Sequence, residues 1–196
     1  HDDRVAVLHR PGKAGLGAAY LQGFARAFEG GYEAVVEIDA DGSHDPAELP
    51  AMLALLRETP ADLVIGSRWV PGGTVVNWPR LRRAISRTGN RYARWILRSR
   101  VRDITAGFRV YRVSALTGLD RAVVSSQGYC FQVELAWRIE SAGGRIVEHP
   151  IVFVERENGR SKMGPAIVVE ALARVTVWGM SARFGRGPMR SRDGVR

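Results

Sequence analysis

The chain reads as an α/β protein, a mostly parallel sheet flanked by helices. Short apolar runs alternate with helix-length amphipathic segments from Val5 to Val154, which is the pattern of successive βαβ units. The sharpest of these runs, Val35-Val36-Glu37-Ile38, lies between Gly30-Gly31 and Gly42 and ends in two carboxylates, Asp39 and Asp41. The chain has 196 residues, 45% of them hydrophobic and 25% charged, which suits one domain with a proper core.

Each element has its own signal. Arg4-Val5-Ala6-Val7-Leu8 reads as a strand. Gly17 to Phe28 reads as a helix, with Ala18, Leu21, Ala25 and Phe28 on one face. Ala34 to Ile38 is the next strand. Pro46, after Ser43 and Asp45, opens a helix through Arg57. Asp62 to Gly66 is a third strand, and Pro71-Gly72-Gly73 a loop. A basic helix then runs from Pro79 to Leu97. Phe108 to Tyr111 predicts a short strand, Tyr129 to Ala142 a helix and Arg145 to Val154 an extended segment.

In the last third, Val168, Ala171, Leu172, Val175 and Trp178 recur at helical spacing, interrupted by Glu170 and Arg174. That segment is too short and too charged to span a bilayer. It suits a helix lying on a membrane or packing on the core. The organisation expected is a main domain over 1–163, an amphipathic helix over 164–183 and a basic, disordered tail over 184–196. His1-Asp2-Asp3 leads straight into the first strand without an initiator Met, as in the middle of a domain.

Charge narrows the partners. The net charge of +9 implies anions: phosphates, nucleic acid or an anionic membrane face. Arginines cluster from Arg80 to Arg102 and from Arg183 to Arg196. No zinc-finger, RNA-recognition or basic-zipper pattern accompanies them, which argues against nucleic acid. A lone cysteine, Cys130, excludes an internal disulfide.

Several segments can carry chemistry. Asp39 and Asp41 stand at a strand's carboxyl end, where open α/β sheets bind ligands. Two hard oxygen ligands there suit Mg²⁺ or Mn²⁺ shared with a phosphorylated substrate; the same pair also serves as a solvated helix cap. Gly12-Lys13-Ala14-Gly15-Leu16-Gly17 opens a helix, so Lys13 and Gly15 are candidates for contact with an anionic ligand, and with a donor's phosphates only as the family resemblance below implies; a tight turn is the plainer reading. Arg68, in Gly66-Ser67-Arg68-Trp69, ends the third strand on the same sheet edge, and binds either a phosphate or a surface carboxylate. Arg82 and Ser86 share a helix face and either clamp a phosphate or stay solvated. Gln132 and Glu134 alternate with Phe131, Val133 and Leu135, which turns them toward a cleft. His44 either assists the metal site or bonds within its turn. Residues 103–112 are denser in polar groups than a core strand should be, and 156–163 read as a mobile loop with three cations, Arg156, Arg160 and Lys162.

In order, these segments resemble the dolichol- or polyprenol-phosphate mannose synthases, among the inverting family 2 glycosyltransferases. The matching pieces are Gly-Leu-Gly-Ala-Ala-Tyr at 15–20, Asp-Ala-Asp-Gly-Ser-His-Asp-Pro at 39–46, Gly-Ser-Arg-Trp at 66–69, Trp-Pro-Arg-Leu-Arg-Arg-Ala-Ile-Ser-Arg at 78–87, Asp-Ile-Thr-Ala-Gly-Phe-Arg-Val-Tyr-Arg at 103–112, Gly-Tyr-Cys-Phe-Gln-Val-Glu at 128–134 and Glu-Arg-Glu-Asn-Gly-Arg-Ser-Lys-Met at 155–163. The resemblance implies the A-type nucleotide-sugar transferase fold and transfer of mannose from GDP-mannose to a polyprenyl phosphate with inversion. It implies a Mg²⁺ or Mn²⁺ ion at Asp39 and Asp41, with Ser43 where some relatives carry a Gln ligand. Arg68, Arg82 and Ser86 would hold the acceptor phosphate. Gln132 would lie on the donor side, and Arg156 and Lys162 would close over the donor from the loop. Relatives begin with a Pro-Thr-Tyr-Asn-Glu-like strand and a second strand ending in paired aspartates, neither of which is present here, so the first strands are expected to be missing. The expected location is the cytoplasmic face of a membrane, beside a membrane-embedded partner. The rival readings are a polyprenyl-phosphate glucose synthase and a non-catalytic phosphate- or membrane-binding module.

Overall fold

The most buried strand organises the molecule. In the computed structural model, which describes residues 5–10, 12, 15–119, 130–155 and 165–184, β2 (Leu63–Ser67) is buried at every position. It is the third strand in the order β1-β4-β2-β5. Its neighbours are β4 (Arg109–Arg112) and β5 (Ile146–Pro150), and β1 (Ala34–Glu37) lies beyond β4. A second, two-stranded sheet pairs β3 (Thr74–Val76) in parallel with β6 (Val152–Val154).

β5 runs parallel to β2, but β4 is antiparallel to both β1 and β2. Three strands of the main sheet therefore share one direction and the fourth is inserted between them reversed. Alternation and apolar runs carry no strand direction, so the sequence pattern yields the class but not this reversal.

Helices cover both faces. Alternate residues of β2 point to opposite sides. Leu63 and Ile65 join a core with Phe24, Ile96, Phe131, Leu135 and Trp137. Val64 joins a second core with Met52, Leu56, Phe108 and Val110. The first core is supplied by α1 (Leu16–Glu29), α3 (Arg80–Leu97), α5 (Cys130–Ser141) and α6 (Pro165–Arg183), and the second by α2 (Leu49–Glu58). The helix expected from Pro46 begins as a 3-10 turn over Pro46–Glu48, with the Asp45 carboxylate accepting from Ala47 N. A five-residue helix, α4 (Val113–Thr117), had no clear sequence signal.

One expected strand does not form. Residues 5–8 have no strand pairing, and Val5 and Val7 are 67% and 73% exposed. Among the described residues no strand offers their backbone a partner, and an alternating sequence cannot make a ladder alone.

The helix expected near residues 166–180 is α6. Its predicted apolar face packs inward: Val175 is buried, and Trp178 stacks on Trp137 with ring centroids 5.9 Å apart. Gly179 lets α6 approach α3 closely, since a Cβ there would lie 2.5 Å from Ile96 Cγ2. Val169, Val177 and Met180 remain exposed. No helix among the described residues is long and apolar enough to cross a membrane.

Candidate active site

β1 and β2 end on the same edge of the sheet. Asp39 and Asp41 follow β1, and Arg68 follows β2. α3 crosses in front of this edge and α6 closes its far side. Between them lies a cleft of about 750 Å³. It is lined by Asp39, Asp41, Ser43, His44, Arg68, Arg82, Ser86 and Gln132, and further along by Tyr92, Ala93, Val168, Leu172 and Val175. Most of the side chains singled out from the sequence thus share one cavity.

The acidic end is shaped by a tight turn. Gly42 has φ +79°, a conformation that glycine adopts without strain. Ser43 N donates to Asp41 Oδ1 at 3.1 Å, and Ser43 O accepts from Val154 N at 3.1 Å. These bonds fix Asp41 and tie the turn to β6. The Asp39 side chain is 52% exposed. A Cβ on Gly107 would come within 3.3 Å of its Oδ2, so any larger residue at 107 would crowd that carboxylate. Among the described residues no cluster of three or more His, Cys, Asp or Glu side chains surrounds this point. Two carboxylates with open surroundings fit Mg²⁺ or Mn²⁺, which keep positions for water and substrate phosphate.

His44 is 6% exposed. It packs against Phe108 and Phe153 with ring centroids 5.3 and 5.1 Å away, and its Nε2 lies 4.0 Å from Asp39 Oδ2. Burial, with the Arg68 charge adding to it, pushes its pKa down to about 4. The ring is therefore neutral at pH 7. Its Nδ1 and the nearby Trp78 Nε1 are buried without a hydrogen-bond partner among the described residues.

The basic wall is built differently. Arg68 is 8% exposed and Asp103 fully buried. The guanidinium grips both carboxylate oxygens at 2.7 Å, while Arg68 N also donates to Oδ2 at 2.9 Å. Thr105 Oγ1 accepts a further bond at 3.1 Å, and Asn90 Nδ2 donates to the same oxygen at 3.0 Å. Trp69, Trp78 and Phe153 surround the guanidinium at 5.7, 5.4 and 5.5 Å. Arg82 stacks 4.2 Å over Trp78 and pairs with Glu155.

Gln132 sits where α5 meets a buried polar network. Its Nε2 donates to Glu37 Oε1 at 3.0 Å, and Tyr111 Oη donates to the other Glu37 oxygen at 2.9 Å. Burial raises the Glu37 pKa against the opposing pull of Arg109. Fully buried Arg109 donates to the carbonyls of Ile104, Ala106 and Gln132, which pins the 104–107 loop against the Asp39 edge.

One expectation is corrected. Glu134 does not face the cleft but lies fully buried and bonds Arg138 one turn along α5. Residues two apart on a helix face different sides, so the alternation that would align Gln132 with Glu134 on a strand separates them. Gly15 is the N-cap of α1, with φ 84°, and does not line the cleft. Lys13, Arg156 and Lys162, with the loop over 156–163 and the tail beyond 184, lie outside the described residues. Asp103, Thr105, Asn90, Glu155 and Trp78 went unassigned from sequence. The signals that touch them are the polar density of residues 103–112, for Asp103 and Thr105, and the segments 78–87 and 155–163, which begin with Trp78 and Glu155.

An α/β sheet with paired carboxylates at its carboxyl edge and a basic wall opposite has the chemistry to bind a phosphorylated substrate. The chain belongs to glycosyl transferase family 2, whose model matches residues 1–119. It is 51% identical over 184 residues to the polyprenol monophosphomannose synthase of Mycolicibacterium smegmatis, covering 94% of this chain and 69% of that protein. It is 52% identical over 183 residues to the undecaprenyl-phosphate mannosyltransferase of Micrococcus luteus, covering 93% of this chain and 74% of that protein. Among solved structures, glucosyl-3-phosphoglycerate synthase from Mycobacterium tuberculosis superimposes in its complex with Mn²⁺, UDP and glucosyl-3-phosphoglycerate. The TM-score is 0.58 at 20% identity, over 95% of this chain and 60% of that one. The same enzyme with Mg²⁺ and UDP gives 0.55, at 20% identity and over 95% and 59%. These structures establish the fold.

Proposed function

We propose that the chain transfers mannose from GDP-mannose to a polyprenyl monophosphate, inverting the anomeric centre, at the cytoplasmic face of a membrane. The observation that carries this reading is the continuity of one cleft. It joins the Asp39–Asp41 edge to Arg82 and Ser86, then runs on between α3 and α6 along Tyr92, Ala93, Val168, Leu172 and Val175. A charged end suits a nucleotide diphosphate and a phosphate; an apolar end suits a prenyl chain. The names of the two mannosyl-transferring relatives support the sugar and the acceptor.

Asp39 and Asp41 would hold a Mg²⁺ or Mn²⁺ ion, with Ser43 beside them; such an ion supplies Lewis-acid stabilisation of the departing diphosphate. Support for a metal comes also from the Mn²⁺ and Mg²⁺ complexes of the structural neighbour. Arg82 and Ser86 receive the acceptor phosphate, with Glu155 releasing Arg82 as it arrives. Arg68, locked by Asp103, contributes a fixed dipole and its remaining N–H donors, which need no reorganisation during reaction. The acceptor is already an oxyanion, so no strong general base is required, in keeping with a neutral His44. Gln132, and Lys13, Arg156 and Lys162 by resemblance, belong to the donor side. The exposed apolar residues Leu81, Ile85 and Trp95 of α3 and Val169, Val177 and Met180 of α6 give a peripheral membrane contact.

The decisive experiment supplies the full chain with polyprenyl phosphate, Mg²⁺ or Mn²⁺ and either GDP-mannose or UDP-glucose, and identifies the lipid product and its anomer. Mannosyl transfer with inversion is expected. Transfer from UDP-glucose alone, or a retained anomeric configuration, would refute the reading.

A further inference from the structure

Helix α3 presents a second face that the proposed transfer does not use. Arg87, Asn90, Arg91 and Arg94 recur at spacings of three and four residues, so they share one side of the helix. With Trp69 and Arg102 they line a separate cavity of about 290 Å³. The cleft side of α3 carries Arg82, Ser86 and Gly89 instead. Trp69 stands between the two sites: Arg68 lies 5.7 Å from its ring centroid and Arg87 4.8 Å.

Among the described residues, none of the guanidinium groups of Arg87, Arg91, Arg94 and Arg102 forms an ion pair with a carboxylate. Glu148, which bonds beside Arg102, is used on the backbone N–H groups of Arg102 and Asp103 at 2.7 and 2.9 Å. Two donors are also stranded: Trp69 Nε1 and Arg94 Nε are buried with no partner among the described residues. Four like charges around one concavity repel each other, and buried donors without acceptors cost free energy. An anion with several acceptor oxygens relieves both. Guanidinium forks match the oxygens of a phosphate, and the cavity exceeds the roughly 30 Å³ of one liquid water about tenfold, leaving room for a phosphate with a substituent.

We infer that the cavity between Trp69, the outer face of α3 and Arg102 is a second anion site, which takes a phosphate group outside the catalytic cleft. The phosphate comes either from a soluble phosphate compound or from the headgroup of an anionic lipid. The test uses the full chain and the double variant Arg91→Gln/Arg94→Gln, where glutamine keeps the helix propensity. Arg102→Gln, outside the helix, is a second variant should the first fail to fold. Arg57→Gln/Arg145→Gln removes the same charge elsewhere, and Arg82→Gln perturbs only the cleft.

Melting temperature is followed as inorganic phosphate replaces chloride at constant ionic strength. Co-sedimentation is measured with phosphatidylcholine vesicles with and without phosphatidylglycerol. A soluble phosphate source predicts a rise in melting temperature in the parent and in Arg82→Gln, with at least tenfold weaker phosphate response in the cavity variants. A lipid source predicts at least tenfold weaker binding to phosphatidylglycerol vesicles in the cavity variants than in the remote-charge variant. The inference is overturned if the cavity variants match the remote-charge variant in both measurements, or if only Arg82→Gln loses the phosphate response.

Discussion

The arginines that meet substrate in the proposed reaction and those on the outer face of α3 are the same residue type on two sides of Trp69, yet they are built oppositely. In the cleft each guanidinium has a carboxylate: Asp103 for Arg68 and Glu155 for Arg82. On the outer face none does among the described residues. The difference teaches what pairing is for. Arg68 is nearly removed from water, and an unpaired charge there would be strongly unfavourable. Asp103 both permits the burial and fixes the fork in one orientation. Arg87 and Arg91 are exposed, so water solvates them and no internal partner is required.

The largest effect expected from this contrast follows from removing Asp103. Asp103→Ala strands Arg68 in an aromatic surround and should cost about 3–5 kcal/mol of stability, read as a lower denaturant midpoint at unchanged slope. A loss below about 1 kcal/mol would show that Arg68 is not held as argued. Next in size is the acidic edge. Asp39→Asn or Asp41→Asn should lower mannosyl transfer by roughly 10²–10³-fold with the melting temperature nearly unchanged, because Asp39 is half exposed. Near-normal transfer by both variants after chelation would remove the metal role.

A smaller effect concerns His44, whose burial belongs to the same wall. Its pKa is lowered, so the unfolded chain takes up a proton near pH 6.5 while the folded chain does not until about pH 4. The contribution is fully present above pH 6.5 and is lost as pH falls toward 4, by about 3 kcal/mol. His44→Phe should flatten the stability curve in that window, measured by urea unfolding at stepped pH. An unchanged slope would place the titration elsewhere. The smallest effect is on the outer face: Arg87→Gln or Arg91→Gln in chloride buffer should shift stability by no more than about 0.5 kcal/mol. A loss comparable to that at Asp103 would break the contrast between the two sets of arginines.

The site residues were legible from sequence wherever chemistry and position coincide in one short segment. Asp39-Ala40-Asp41 follows a strand, Arg68 ends one, and Arg82 with Ser86 shares a helix face; all five reach the same cleft. Their supports were not legible. Asp103 lies 35 positions from Arg68, and Glu155 lies 73 from Arg82, separations over which no periodicity pairs residues. Glu134 shows the converse, since its polar character suggested a cleft, and the rotation of α5 gave it to Arg138.

By itself the sequence determined the alternation of strands and helices, the carboxylates and cations at strand ends, and the apolar face of α6, because each depends on near neighbours and on periods of two or 3.6 residues. Only the tertiary structure decided that β4 enters the sheet reversed, that residues 5–8 find no strand to pair with among the described residues, which carboxylate pairs with which arginine, and that α3 has one face on the cleft and another on a separate cationic cavity. Those outcomes depend on which distant segments meet, and it is burial that decides whether a charge there needs a partner or only water.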